Sequence, residues 1–283
     1  MKPRPDSTSK SARNSRRAAL AVLIAALWLA GITMMVRRDA NRTEAQQLTE
    51  VALRTQPATF YYTIERDGQQ IGSASSAVDT TPNSLISEEY FVGDVASGKS
   101  TERTSARWRS KLTRGFRLTD LTINIARASG PRSINASVDG DTSLFIAGTN
   151  RPGGHPPARY SFTGPLFTPS LAPVAFMLGG DHSIGRKQTM AIFDPTTRLV
   201  IRPELRIRAE SLFTVVDSAA AGPNGEWVGA HRDTVRAWQI EGGPKGLVAW
   251  VDAGGRLVAA RAGRLSAIRT AFEIAFKNSK PNK

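Results

Sequence analysis

The sequence predicts a mainly β protein, in which one N-terminal transmembrane helix is followed by a large curved antiparallel sheet, an open barrel or sandwich, with a C-terminal helix. Three observations carry this. Residues 18–36, AALAVLIAALWLAGITMMV, contain no charge. From about residue 57 the hydrophobic period becomes two, and Gly, Asp, Asn and Pro separate the runs. Near the C-terminus, Leu265, Ile268, Phe272 and Phe276 recur at spacings of 3, 4 and 4. Period two marks a strand with one buried face, and the last pattern marks one face of a helix.

The chain has 283 residues, 40% of them hydrophobic, which is enough for one full-sized core. With no cysteine, disulfides, thiolate nucleophiles and thiolate metal sites are excluded. The net charge of +14 divides evenly. Residues 1–38 carry eight Lys+Arg against Asp6 alone, a net +7, which leaves +7 for all of residues 39–283. That modest excess gives no reason to expect nucleic acid as a partner.

Residues 1–15 are polar, basic and rich in Ser and Pro, the composition of a disordered tail. The anchor is expected over 16–38. Its apolar run spans roughly 28 Å as a helix, close to the hydrocarbon thickness of a bilayer. Arg16 and Arg17 precede it, Arg37 and Arg38 follow it, and Trp28 is its one aromatic. The excess of basic residues on the N-terminal side places the N-terminus in the cytoplasm and the rest of the chain in the periplasm of a bacterial-type inner membrane. A cleaved signal peptide is the competing reading, but the run continues into the double arginine without a small-x-small site. A short helix or stalk over 39–56 follows, with Leu48, Val51 and Ala52 at helical spacing.

The β-rich domain is expected over 57–278, with a tail at 279–283. TFYYTIER and QQIGSASSAV flank Asp67-Gly68, which supplies the positive φ angles of a two-residue hairpin. Strands are then expected at 85–92, 103–112, 116–127, 132–140 and 143–148. In the third of these the alternation shifts at Asp120. Residues 151–179 hold a Pro- and Gly-rich loop and the apolar stretch Leu171 to Leu178, read as a short helix that covers the sheet or plugs one mouth of it. KQTMAIF, RLVIRPELRIR, SLFTVVD, EWVGAHR, TVRAWQIEGG, GLVAWVD and RLVAARAG are further strands. LSAIRTAFEIAFK is the closing helix, with Ser266 near its start and Lys277 and Lys280 at its end.

Chemistry-bearing patterns are sparse. His155, His182 and His231 have no metal-ligand spacing. Asp181-His182-Ser183 contains triad residue types, but sequence neighbours seldom assemble a triad and a turn is expected. Glu88-Glu89 should point to opposite faces of a strand and Asp139/Asp141 should sit at a turn, both pairs exposed. No catalytic residue, metal or cofactor is assigned. The candidate surface is a basic ridge, Arg103, Arg107, Arg109 and Lys111, which share one face of a strand with Trp108 on the other. As an anion-contact site it would meet lipid headgroups or envelope polymers, its competing reading being a solvated sheet face.

YYTIERDGQQIGSASSAV near the start, and AIFDPTTRLV, VRAWQIEGG, GLVAWVDAGGRLVAARAG and RTAFEIAF near the end, carry a resemblance. Through Gly68, Ile71, Gly72, Asp194, Pro195, Trp250, Asp252, Gly255 and Arg269 the chain resembles poorly characterised periplasmic β-domains, including those that accompany bacterial transglutaminase-like proteins. The resemblance covers both ends of residues 58–277 and leaves the middle unmatched. It implies a curved antiparallel sheet wrapped partly around a helix, an architecture also used by lipoprotein carriers. It implies no catalysis, since a transglutaminase-like Cys-His-Asp set would need a cysteine. Trp250 and Asp252 read as a packed aromatic and a turn-former. The expectation is therefore a non-enzymatic, membrane-tethered envelope protein that binds an apolar or lipid-like ligand or a partner protein. Its alternatives are a structural subunit of an envelope assembly and a hydrolase built around Asp181 and His182.

Overall fold

The computed structural model describes residues 44–97, 100–140, 142–148, 156–195, 197–242 and 247–278. The described residues from Leu48 onward form one compact unit. The anchor expected over 16–38, with Arg16, Arg17, Trp28, Arg37 and Arg38, and the tails expected over 1–15 and 279–283, lie outside the described residues. Among those described, no helix is long and apolar enough to cross a membrane.

Helix α1 (Glu44–Arg54) is the short helix expected before the β-domain. Its Leu48, Val51 and Ala52 are buried in the main core, so core packing begins ahead of the boundary expected at residue 57.

An antiparallel meander follows: β1 (Ala58–Arg66), β2 (Gln69–Thr80), β3 (Ser84–Ser97), β4 (Ser100–Thr113), β5 (Leu118–Arg127), β6 (Arg132–Asp139), β7 (Ser143–Ile146) and β8 (Ala158–Ser161). The first turn is the expected one. Asp67 and Gly68 have φ of 52° and 80°, the positive pair that matches the twist of a two-residue hairpin. The shift in alternation at Asp120 is a β-bulge: Lys111 faces Asp120 while Leu112 faces Leu118. The extra residue keeps both Leu118 and Leu121 inside. Phe116, expected in this strand, instead sits in the preceding turn with φ of 58°, its ring buried.

The chain then crosses the inside of the curved sheet. A small sheet of β9 (Leu166–Phe167), β11 (Ala191–Asp194) and β12 (Leu199–Ile201) lies beside helix α2 (Leu171–Leu178). Helix α2 has the bounds of the expected apolar stretch, and six of its residues are buried. A helix apolar on all sides needs protein all round it, and the concave sheet supplies that. The outer edge strand β10 (Lys187–Thr189) pairs with the first strand of a long ribbon, β13 (Glu204–Ala221) and β14 (Trp227–Glu241), which is followed by β15 (Val248–Val251), β16 (Leu257–Ala262) and β17 (Leu265–Thr270).

The large sheet has fourteen strands in the order β10-β13-β14-β15-β16-β17-β1-β2-β3-β4-β5-β6-β7-β8. Its two halves meet where β1 pairs with β17, Tyr62 opposite Arg269 and Ile64 opposite Ala267. The concave face holds one core around α1, α2 and β13–β15 and a second around β5–β7 and β11.

The helix expected over 265–277 is a strand followed by the short helix α3 (Phe272–Lys277). Strand β17 pairs with β1 over residues 265–270 and with β16 over 265–268, and that ladder outweighs the helical spacing of the side chains. Leu265 and Ile268 are consequently exposed. The start of α3 is Ala271, with no side-chain cap, and Ser266 is a strand residue. Helix α3 lies on the convex face, with Phe272 edge-on to Tyr61 at 5.1 Å and Phe276 stacked on Tyr90 at 6.4 Å. Ser73 and Gln70 donate to the Ala275 carbonyl.

Candidate ligand-binding cavity

Strand alternation sorts residues between the two faces of the sheet. Cross-strand neighbours Phe60, Ser76, Glu89, Trp108 and Ile123 form one row across β1–β5. The next row on the same face runs through Tyr62, Ala74, Phe91 and Ala106. Between these rows, β15–β17 and the start of α2 lies a cavity of about 470 Å³. Small side chains at Ala74, Ala106, Ala249, Ala260 and Ala267 leave the space, and Phe60, Tyr62 and Trp108 wall it. A largely apolar concavity of this size, with few polar groups, has the character of a small-molecule site.

Three polar features mark it. Glu89, half-buried on β3, is part of the cavity lining. Withdrawal from water raises its carboxyl pKa above the ordinary value, and hydrogen bonds from Ser170 and Ser87 oppose the rise. Tyr62 is buried, its hydroxyl donating to the Leu257 carbonyl at 3.3 Å, and burial pushes its phenol pKa upward. Near exposed Gln56, Arg256 sets its guanidinium over the Phe60 ring at 5.2 Å, with a long 3.4 Å bond to the Gln56 carbonyl.

The turn between β15 and β16 holds Arg256 in place. Asp252 Oδ1 accepts the backbone N–H groups of Gly254 and Arg256 at 2.9 and 3.0 Å, and Oδ2 accepts from Arg269 Nη1 at 3.2 Å. Asp252 is thus the expected turn-former, and it also orients the arginine opposite Tyr62. Gly255 has φ of 74°, and a Cβ there would stand 2.3 Å from Val174 Cα and 2.7 Å from the Pro173 carbonyl oxygen. The turn therefore rests directly on α2. Trp250 packs on the other face against Phe213 at 5.1 Å.

The basic ridge has the expected geometry: Arg103, Arg107, Arg109 and Lys111 are all exposed on the convex face, opposite Trp108. Its positive charge is largely matched. Arg107 and Arg109 contact Glu88 at 2.8 and 3.3 Å, Arg103 contacts Asp94 at 3.3 Å, and Lys111 faces Asp120 across the β4–β5 pair. Glu88 and Glu89 do point to opposite faces. The expectation that both are exposed fails for Glu89, because its face is the concave one.

No triad is assembled at Asp181-His182-Ser183. Ser183 donates to Asp181 at 2.8 Å, and His182 Nε2 lies 3.2 Å from the Met177 carbonyl with its ring 4.7 Å from Trp238. His231 pairs with Asp217 at 2.8 Å on the exposed ribbon. Asp139 is bridged to Arg159 at 2.7 Å; Asp141 and His155 lie outside the described residues. Among the described residues no group of three His, Asp or Glu is placed to hold a metal ion.

Fold and cavity define the class: a mainly β protein with one large antiparallel sheet, a buried helix packed against it and an apolar hollow beside that helix. No family model matches the sequence, and no curated protein is similar to it. Among solved structures, the chain is similar to a β-barrel-like protein of domain of unknown function DUF1849 from Brucella abortus. That match has 10% identity and a TM-score of 0.47, covering 75% of this chain and 93% of that one. A second similar structure is a DUF1089 family protein from Pseudomonas aeruginosa, with 10% identity and a TM-score of 0.38, covering 65% of this chain and 87% of that one.

Proposed function

We propose that the chain is a membrane-anchored, non-enzymatic envelope protein whose β-domain binds an apolar or lipid-like ligand in the concave cavity. The observation that carries this reading is the cavity itself: about 470 Å³, walled by Phe60, Tyr62 and Trp108 and kept open by a set of alanines. A core built only for stability fills such space, since a void forfeits packing contacts. The anchor rests on the sequence alone, through the uncharged run 18–36 between Arg16-Arg17 and Arg37-Arg38. On that reading the β-domain is tethered at the periplasmic side of a bacterial-type inner membrane, where apolar ligands are at hand.

The test is calorimetric titration of the full chain, held in amphipol, with dodecanol, beside the cavity-filling variant Ala106→Trp. Ala106 stands between Phe91 and Ile125 in the cavity row. Saturable binding by the wild type at one ligand per chain, lost in the variant while its fold is retained, is the expected result. Equal heats from both proteins would reject the cavity as the site.

A further inference from the structure

The cavity lining includes a guanidinium, Arg256, and a half-buried carboxyl group, Glu89. At the end near Gln56 stands Arg256, whose guanidinium has the Phe60 ring face at 5.2 Å and a 3.4 Å contact to a carbonyl, and no carboxylate within ion-pairing distance among the described contacts. Its neighbour Arg269 is different: Asp252 takes it up at 3.2 Å. A guanidinium with most of its donors unengaged is a ready partner for an anionic oxygen group, because its planar fork meets carboxylate or phosphate with paired charged hydrogen bonds. On the β3 side of the same cavity, Glu89 sits in the apolar wall beside Trp108 in the next strand.

We propose that the cavity binds a single-chain amphiphile with an anionic head, the head on Arg256 at the mouth and the chain lying past Phe60 and Tyr62 toward Trp108. Arg256 selects the sign of the head and fixes where it sits. The inference rests on the reading of the cavity as a ligand site and adds the ligand's charge and orientation.

The experiment titrates the full chain with dodecyl phosphate, dodecanol, dodecyltrimethylammonium and inorganic phosphate, and repeats the series on Arg256→Gln and Arg256→Lys. Dodecyl phosphate is expected to bind about tenfold tighter than dodecanol, the scale of one charged hydrogen bond. The ammonium probe should bind more weakly than dodecanol, and inorganic phosphate should give no measurable binding. Arg256→Gln should bring dodecyl phosphate and dodecanol within about twofold of each other, and Arg256→Lys should keep part of the difference. Equal binding of the three dodecyl probes, preference for the ammonium, or an unchanged preference in Arg256→Gln would overturn the assignment while leaving the cavity a ligand site. Inorganic phosphate binding as tightly as dodecyl phosphate would also overturn it, making Arg256 a plain anion site. Failure of every dodecyl probe to bind would remove the underlying reading as well.

Discussion

Replacing Gly255 by alanine separates two costs that a glycine can hide. Gly68 and Gly255 have nearly the same backbone, φ of 80° and 74°, but different surroundings: a Cβ at Gly68 meets nothing within 4 Å, whereas one at Gly255 meets Val174 Cα at 2.3 Å. An alanine in the left-handed region costs about 1–2 kcal/mol, offset by about 0.4–1 kcal/mol because alanine restricts the unfolded chain. Gly68→Ala should therefore lose only about 0.5–1 kcal/mol. Gly255→Ala bears the same cost and must also push the β15–β16 turn off α2. The atoms it meets are backbone and cannot rotate away, so overpacking adds about 1–3 kcal/mol. The sum, about 2–4 kcal/mol, is a large part of an ordinary domain's stability. At roughly 2–4 °C per kcal/mol for a domain of this size, Tm falls by about 4–15 °C in Gly255→Ala and about 1–4 °C in Gly68→Ala. Thermal and urea unfolding of the full chain, followed by near-UV circular dichroism, measures both. Equal losses in the two variants would refute the argument that the turn is seated on the helix. Because Gly255, Pro173 and Val174 all border the cavity, Gly255→Ala should also weaken dodecanol binding where Gly68→Ala does not.

Three further outcomes follow from the same geometry. The raised carboxyl pKa of Glu89 means that the folded protein holds this proton more tightly than the unfolded chain. Its contribution to stability is then fully present below the unfolded value of about 4.3 and is lost as pH rises through the folded one. Glu89→Gln should therefore leave Tm little changed near pH 4 and raise stability at pH 8 by about 1–2 kcal/mol; an equal effect at both pH values would contradict it. Asp252→Ala removes the acceptor of two turn N–H groups and strands Arg269, whose side chain is only 11% exposed, so unfolding should show a loss of about 2–4 kcal/mol. Asp252→Asn, which keeps the turn acceptor, should lose about half as much. On the convex face, neutralising Arg107 and Arg109 together should change binding to anionic vesicles by less than about twofold at 0.15 M salt, since Glu88 already matches them and exposed charge is screened; a tenfold loss in vesicle flotation would restore the ridge as a lipid contact.

What could be read from sequence was local. Asp67-Gly68 announces its hairpin because few residues tolerate two positive φ angles. The shift at Asp120 shows in the alternation because a bulge changes its phase. Helix α2 shows because a run apolar on every side, bounded by Pro and Gly, can only be internal. Parity along β4 even separated the arginines from Trp108. What failed needed the neighbours. Leu265, Ile268, Phe272 and Phe276 have helical spacing, yet 265–270 is held between two strands, and no pattern within the segment records its partners. SLFTVVD and EWVGAHR, expected as separate short strands, are pieces of the long ribbon β13–β14, continuous through its bulges. Parity puts Glu89 on the face opposite Glu88, but which face meets the core depends on what the rest of the chain packs against it. The cavity is likewise a product of that packing and of alanines drawn from five strands, each of them unremarked in its own segment.

The pairing of β1 with β17 also governs how the molecule can be assembled. Apart from the β10–β13 pair, each half of the large sheet joins strands consecutive in sequence, but the seam joins residues such as Thr63 and Ile268, 205 positions apart. Closing so long a loop costs entropy before any contact rewards it, so the seam should be the slow event in folding. Until it closes, β1 and β17 each present a bare row of backbone donors and acceptors, the kind of edge that recruits strands from other chains. A chain whose β1 edge stays bare until its last strands arrive is therefore most exposed to pairing with other chains during folding, and far less so once the seam has closed.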